Sequence, residues 1–473
     1  MSKKEFNNFI YEDNYLRYES YLKGFLKEKF DEFDAISEKV GLDSKIKDLM
    51  NSKIVNETEN QAALHPQYRN QYFSSENYDF ESGMEFYGSI YYELDKLSDE
   101  GSLERINIVS IGIGGSFEGP KLMLEASTSQ FDMSALFSNR SVFNFKFLTG
   151  PNSNEFYKKV HHLDPKKTFF LVFSKSFETI ETLEMLSMAL DWSGDTKKFL
   201  ALTSNADKPR EFGISYIHTF DKEIGGRYSI WLESIVKIFG EQEFGSSISP
   251  GLALTSFHRG GARADDRLFD KEYLNFIKFL SFGDIWMNNF NKKHTRVILS
   301  YYWKLRSFPD YAQQLEMESL GKPANTSSQY KNTGQVVFGG YGPKAEHSYL
   351  QLLHQGTQEI CADIIACDKD KNDLEYIKAI TQTRLLSEGA EGLGENEKIN
   401  GNVPVNLFIV KEGSLKSNNE AIDFAEYLGY LIATWEHRTF ITATMLGINP
   451  FDQFGVNAGK KYTLARKFIK DSS

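Results

Sequence analysis

The spacing of apolar positions changes several times along the chain, and each change marks an element. INIVSI, at 106–111, is a short apolar, β-branched run ending in glycines, which predicts a buried strand feeding a turn. Similar runs at 143–148, 168–173 and 199–202 predict further strands. Between them apolar residues return at helical spacing, as in ETIETLEMLSMALDW at 178–192, which suits a helix packed on a sheet. Strands alternating with helices imply a parallel sheet covered on both faces.

A second alternation begins near Phe276: a helix, HTRVILSYY as a strand, then a helix ending at Met317-Glu318-Ser319, with more strands at 335–338 and 405–410. After Ala421 the run DFAEYLGYLIATWEHRTFITATML predicts a long helix, which leads through Gly447 and Pro450 to a basic C-terminal helix. Residues 1–100 are polar and mostly helical in pattern, as in Tyr15-Leu16-Arg17-Tyr18 and YLKGFLKEKFDEF, with some loop around 51–77. The expected organisation is a helical segment over 1–100, α/β domains over 101–245 and 246–435, and a helical C-terminal segment over 436–473. The border between the α/β domains falls in a Gly-, Ser- and Pro-rich stretch at 240–270.

Composition narrows the class. The 473 residues are 41% hydrophobic and 25% charged, an ordinary globular balance in a chain long enough for more than one core. Fifty-four basic against 65 acidic residues leave a net charge of -11, which argues against a nucleic-acid surface but sets no sign inside a pocket. Cys361 and Cys367 have no zinc-spaced partners and read as free thiols of a reducing compartment. The N-terminus lacks a signal-peptide core and no run is long enough to span a membrane, so the expected location is the cytoplasm.

Several short motifs could carry chemistry. Gly112-Ile113-Gly114-Gly115-Ser116 follows a strand directly, and such glycines let backbone N–H groups approach an anion. The spacing is neither a Walker loop nor a dinucleotide fingerprint, and alone it fits a plain tight turn equally well. Ser174-Lys175-Ser176-Phe177-Glu178-Thr179 puts three hydroxyls at a strand-to-helix junction, suited either to capping or to phosphate oxygens. Two polar loops at strand ends of one sheet suggest a ligand more than either does alone. Gly225-Gly226-Arg227 could present a guanidinium to an anionic intermediate, or leave an arginine on the surface. In Gln314-Leu315-Glu316-Met317-Glu318-Ser319-Leu320-Gly321-Lys322-Pro323, Gly and Pro end a helix and put Glu318 in its last turn, a position open to a general base or to plain solvation. His347 and His354, seven apart, are expected on one helical face, a spacing poor for metal. Lys460, at the start of a helix, could donate a proton or bind an oxyanion, or lie on the surface.

Taken in order, IGIGGS, SKSFET, GGRYS, QLEMESLGK, EHSYLQLLHQGT and FDQFGVNAGK closely resemble the blocks of the glucose-6-phosphate isomerase family, over residues 111–460. The resemblance implies two sugar-isomerase (SIS-type) domains, each a parallel sheet flanked by helices. It also implies a tight homodimer whose active site lies between domains and is completed by the neighbouring subunit. By position, Ser116, Ser174, Lys175, Ser176 and Thr179 would hold the substrate phosphate, and Gly115 would line the sugar site. Glu318 would carry a proton between C1 and C2 through a cis-enediol, and Arg227 would stabilise the enediolate. Gln314 and Gln453 would orient the sugar; His347, supplied in the family by the partner subunit, and Lys460 would open the ring. The implied reaction, in glycolysis and gluconeogenesis, needs no cofactor and no metal.

The sequence departs from the family pattern in places. Phe117-Glu118 stand where Asp-Leu is usual, Ser176 where Thr is typical, Glu178 and Ile180 where polar uncharged residues are common, and Leu320 where Asn is usual. Ser176 keeps a hydroxyl, and Glu178 is expected to face outward. The chain ends soon after Lys460, which implies reduced peripheral arms. A non-catalytic sugar-phosphate sensor on the same domains predicts loss of the Glu, Arg and His, yet all are present. A related isomerase acting on mannose phosphate stays open; glucosamine synthesis would call for an N-terminal catalytic cysteine, which is absent.

Overall fold

The apolar runs become strands, of which the central ones are buried on both faces. In chain order these are β1 (Ile10–Glu12), β2 (Leu16–Tyr21), β3 (Asn107–Ile111), β4 (Asn144–Leu148), β5 (Thr168–Phe173), β6 (Phe199–Thr203), β7 (Tyr216–Thr219), β8 (Thr295–Ser300), β9 (Val336–Tyr341), β10 (Ile360–Cys367) and β11 (Val405–Val410). The computed structural model describes residues 9–71, 106–127, 143–232, 252–415 and 420–465, with isolated positions between 86 and 96 and Ile235. It divides into two units, one of residues 68–258 and one of residues 1–67 with 259–473.

The 68–258 unit holds a five-stranded parallel sheet in the order β4-β3-β5-β6-β7. Every residue of β3, β5 and β6 is buried, as a sheet covered by helices on both faces requires. The core on one face joins Val109, Phe170 and Val172 to Met185 and Leu186 of the helix Ile180–Ser193. Because β4 lies outside β3 while β5 to β7 continue on the other side, the strand order reverses between β3 and β5. Ligands of open α/β sheets collect at the carboxyl edge of such a reversal.

The second unit holds a six-stranded sheet in the order β1-β2-β11-β10-β8-β9. Strands β8 to β11 are parallel, and β2 joins β11 antiparallel. Residues 15–18 therefore do not form the expected helix. Leu16, Tyr18 and Ser20 alternate as buried positions with Arg17, Glu19 and Tyr21, a period of two. Tyr18 is fully buried and donates to Asn406 Oδ1 at 2.6 Å. Helices do follow at Lys27–Lys39 and Leu42–Met50. The expected domain border at 245/246 lies outside the described residues, as does most of 72–105. The border expected at 435/436 falls inside one continuous helix, Glu420–Leu446, whose residues 423–446 are buried up to the end of the run.

Buried charge stands at the centre of this second unit. Arg438, on the long helix, donates from Nε and Nη2 to Asp284 and from Nη1 to Asp363, each at 2.7 Å. Arg296 of β8 reaches Asp284 Oδ1 at 2.5 Å, pairs with Glu316, and sets its Nε 3.5 Å from Asp363 Oδ2. Asn406 and Trp435 supply neutral donors to Asp363 and Glu316. Burial opposes the charge of Asp284, yet Arg296 and Arg438 outweigh it and hold this carboxyl below the usual aspartate range. Its contribution to stability is therefore complete above the ordinary value of 3.8 and is lost as acidification passes below it.

Removing one partner from such a cluster leaves buried charge uncompensated. Arg438→Met is expected to cost about 3–5 kcal/mol in urea unfolding, far more than loss of a surface ion pair such as Arg210–Asp207. A loss below about 1 kcal/mol would show that the cluster is hydrated in solution.

Candidate active site

Three loops of the 68–258 unit gather at one sheet edge. The first leaves β3 through Gly112 and turns at Gly114, whose φ of 61° is the left-handed conformation glycine adopts freely. The helix Gly115–Ser127 starts immediately. A Cβ on Gly115 would lie 1.9 Å from Gly226 O and 2.8 Å from Arg227 N, so only glycine lets this helix start against the GGR loop. Ser229 Oγ donates to Gly115 O at 3.4 Å, and Gly119 packs on Ile230.

The second loop leaves β5, the neighbour of β3 across the reversal. Ser174 N donates to Leu202 O, and Lys175 O accepts from Thr203 Oγ1 at 2.9 Å and from Ser204 Oγ at 2.8 Å. The end of β6 thus pins the loop backbone. Phe177 takes φ 54° and buries its ring, a conformation that costs a residue with a side chain about 1–2 kcal/mol. That turn leaves Ser176 and Glu178 exposed, Glu178 as expected from its charge. Ser174, by contrast, is buried and sets its Oγ 3.4 Å from Thr179 Oγ1. Thr179 is the N-cap of the following helix but makes no side-chain capping bond. Capping therefore does not use the hydroxyl, and a helix start leaves its first-turn amides without intrahelical partners, the arrangement that suits an anion.

The third loop presents Arg227 from a short 3-10 turn, Gly226–Trp231. Arg227 is 2% exposed, with its guanidinium 5.5 Å from the centre of the Tyr228 ring, so it is no surface arginine. One unit thus brings together Gly115, Ser116, Ser174, Lys175, Ser176, Thr179 and Arg227.

The remaining candidates lie in the other unit. Its own reversal, between β8 and β10, is closed by side chains. Glu412 accepts from Tyr302, from Lys304 Nζ at 2.8 Å and from Cys367 Sγ at 3.5 Å. Burial and the Glu412 charge push the Cys367 thiol up to about 12, and burial does the same for Cys361. Two of the candidates, Gln314 and Glu318, stand on the helix Phe308–Leu320. Its Leu315, Glu316, Ser319 and Leu320 are buried, while Gln314 and Glu318 share a half-buried face and bond at 3.0 Å, Nε2 to Oε2. His347 and His354 do not share one helical face. The helices Gly342–Glu346 and Leu350–Gln355 are separated by a turn, because Glu346 is tied to Lys378 at 2.6 Å and Tyr349 packs on the Phe338 ring. His347 is exposed in that turn, while His354 Nε2 lies 2.9 Å from Gln382 Oε1 and is held by burial below the usual imidazole value. Gln453 and Lys460 lie on the exposed segment that ends in the helix Asn457–Leu464. Sequence reasoning misses Lys322 and Asp452, although both stand inside the quoted blocks; what it lacks is their meeting in space. Among the described residues no group of three or more His, Cys, Asp or Glu side chains is placed to hold a metal ion.

Comparison with known proteins adds a family. The family described as phosphoglucose isomerase matches residues 21–472. A glucose-6-phosphate isomerase of Shewanella sp. (strain ANA-3) is 33% identical over 469 residues, covering 90% of this chain and 82% of that protein. The Shewanella oneidensis enzyme of the same name is 33% identical over 470 residues, with the same coverage of 90% and 82%. Among solved structures, a glucose-6-phosphate isomerase from Chlamydia trachomatis aligns with a TM-score of 0.75 at 21% identity, over 98% of this chain and 90% of that one. A hypothetical protein from Thermus thermophilus aligns with a TM-score of 0.56 at 21% identity, over 85% and 94%. These two likenesses bear on the fold, which is that of parallel sheets flanked by helices.

The contact of Gly115 with the GGR loop is testable by itself. Gly115→Ala is expected to cost about 1–3 kcal/mol in urea unfolding, because backbone rather than a flexible side chain must move. Gly226→Ala, whose Cβ would meet nothing within 4 Å, should stay within about 1 kcal/mol of the unaltered protein.

Proposed function

The chain belongs to the phosphoglucose isomerase family, and from that premise we propose that it interconverts glucose 6-phosphate and fructose 6-phosphate, an aldose–ketose isomerisation of glycolysis and gluconeogenesis. The observation that carries the reading furthest is the meeting of hydroxyl-bearing loops and a buried arginine at one strand reversal. That edge suits a phosphorylated ligand whose reaction develops negative charge.

In this reading Ser116, Ser174, Lys175, Ser176 and Thr179 hold the phosphate, with amides of the adjacent helix starts, and Gly115 lines the sugar. Fixing a remote phosphate supplies binding energy that positions the reacting carbons. His347 and Lys460 move the proton that opens the ring, His347 coming from the partner subunit of a homodimer. Glu318 then takes the proton from C2 of the open aldose, giving a cis-enediol, and returns it to C1 as the ketose forms. The proton that O1 gains and the one that O2 loses balance the step, so the product is an isomer. Arg227 stabilises the enediolate oxygen, since a guanidinium stays charged throughout. Gln314, bonded to Glu318, orients carboxylate and sugar, and Gln453 holds a sugar hydroxyl. The enzyme works in the cytoplasm; among the described residues no helix is long and apolar enough to cross a membrane.

The test is an assay with fructose 6-phosphate, glucose 6-phosphate being read through its dehydrogenase with a chelator present. Turnover is expected to survive chelation and to fall by about 10²–10⁴ in Glu318→Gln, the range of a lost general base, with sugar-phosphate binding nearly intact. Binding without turnover in the unaltered protein would favour a sensor or a different sugar. Replacing Ser174 and Thr179 together by Ala is expected to raise KM by about tenfold or more with a smaller effect on kcat, as loss of uniform binding does. An unchanged KM would refute the phosphate assignment.

A further inference from the structure

The helix that carries Glu318 in its last turn and the segment that begins at Asp452 meet at a single ammonium. Lys322 Nζ donates to Glu318 O at 2.7 Å and to Asp452 O at 2.5 Å, and lies 3.3 Å from Asp452 Oδ1. The two side chains are only 11% and 8% exposed, so this is not an ordinary surface ion pair. Gly321 makes the approach possible: a Cβ there would lie 2.4 Å from Met317 O, and the tight turn folds Lys322 back beneath the helix end. A cation at that end also answers the carbonyls that a helix leaves without intrahelical partners.

Asp452 is held from its other side too. Its Oδ2 accepts from Thr58 Oγ1 at 2.7 Å, and Asn449 Nδ2 reaches Thr58 Oγ1 at 2.7 Å and Asn56 Oδ1 at 2.8 Å. The loop that supplies Asn56 and Thr58 is closed by a bridge between Asn56 and Gln61. Phe451 and Asp452 are buried, whereas every residue from 453 to 465, Gln453 and Lys460 included, is exposed. Within this unit, then, the arm is rooted at Asp452.

We propose that Lys322 and Asp452 are positioning residues, a clasp that sets the C-terminal arm, and with it Gln453 and Lys460, against the end of the Glu318 helix. The inference rests on the functional reading above, because its effect on turnover runs through Lys460 and Glu318. Two of the three Lys322 contacts are main-chain carbonyls, so the clasp fixes backbone to backbone. A change at either end would displace the whole arm while leaving the phosphate loops, on the other unit, untouched. Turnover should therefore suffer more than substrate affinity.

The experiment is a double-mutant cycle in the full-length protein between Lys322→Met and Lys460→Met, with circular dichroism as the check on folding. Lys322→Met is expected to lower kcat by about tenfold or more while KM stays within about threefold. Because Lys322 acts through the arm, the double variant should lie within about twofold of Lys460→Met alone. Trypsin should also cut the arm sooner in Lys322→Met than in the unaltered enzyme. Asp452→Asn keeps the two carbonyl contacts, so it should show a smaller loss with the same non-additivity; it carries the cycle if Lys322→Met does not fold. Wild-type kcat in Lys322→Met, or losses that multiply in the double variant, would overturn the clasp while the functional reading stands. Lack of turnover in the unaltered enzyme would overturn that reading instead.

Discussion

Two guanidiniums enclosed by three carboxylates, all cut off from water, are what the unit carrying Glu318 is built around. Ions pulled from water cost several kcal/mol each unless their partners are close and well aimed. Arg296 and Arg438 meet that condition only while β8, β10 and the helices 271–289, 308–320 and 420–446 hold their present register. A greasy core tolerates sliding; this one does not, since a small slip strands a charge. Glu316 is part of the cluster and stands two residues before Glu318. The orientation of the helix that carries Glu318 is thus inherited from the most demanding contact in the unit.

The two sheets reverse strand order in the same way and use the reversal differently. At β3 and β5 the loops end in glycine, hydroxyls and helix starts, groups suited to an anion. At β8 and β10 the corresponding edge supplies its own anion, Glu412, and surrounds it with Tyr302, Lys304 and Cys367. The same topology thus yields one edge fit for a ligand and one already satisfied.

Much of this is legible in the sequence, and the reasons for the gaps are physical. Strands that are nearly unbroken apolar runs, such as FLVF within TFFLVF and LFIV within VNLFIV, declare themselves because both faces are buried. The central strand β10 does not, since ICADIIAC carries an aspartate whose burial makes sense only once Arg438 and Asn406 are seen beside it. Strand β2 reads as helix because LRYESY alternates over only six residues, too few to separate the two periods by eye. The helix end at Gly321, the polar strand-end loops and the order of the motif blocks are all readable. The break at His347 is not, because it is set by Lys378 and Phe338, which are remote in sequence. Burial of Arg227 likewise becomes visible only with the close approach of Gly115 to its loop.

The rooting of the exposed arm at Asp452 makes that arm a lever. Lys460 stands on the order of 10 Å from its root, from the rise of a short 3-10 turn and the first turn of a helix. A tilt of only about 10° at the root would swing the ammonium by about 2 Å, enough to break a hydrogen bond made at the tip. Accuracy at the tip is therefore decided at the pivot, where a few tenths of an ångström count several times over.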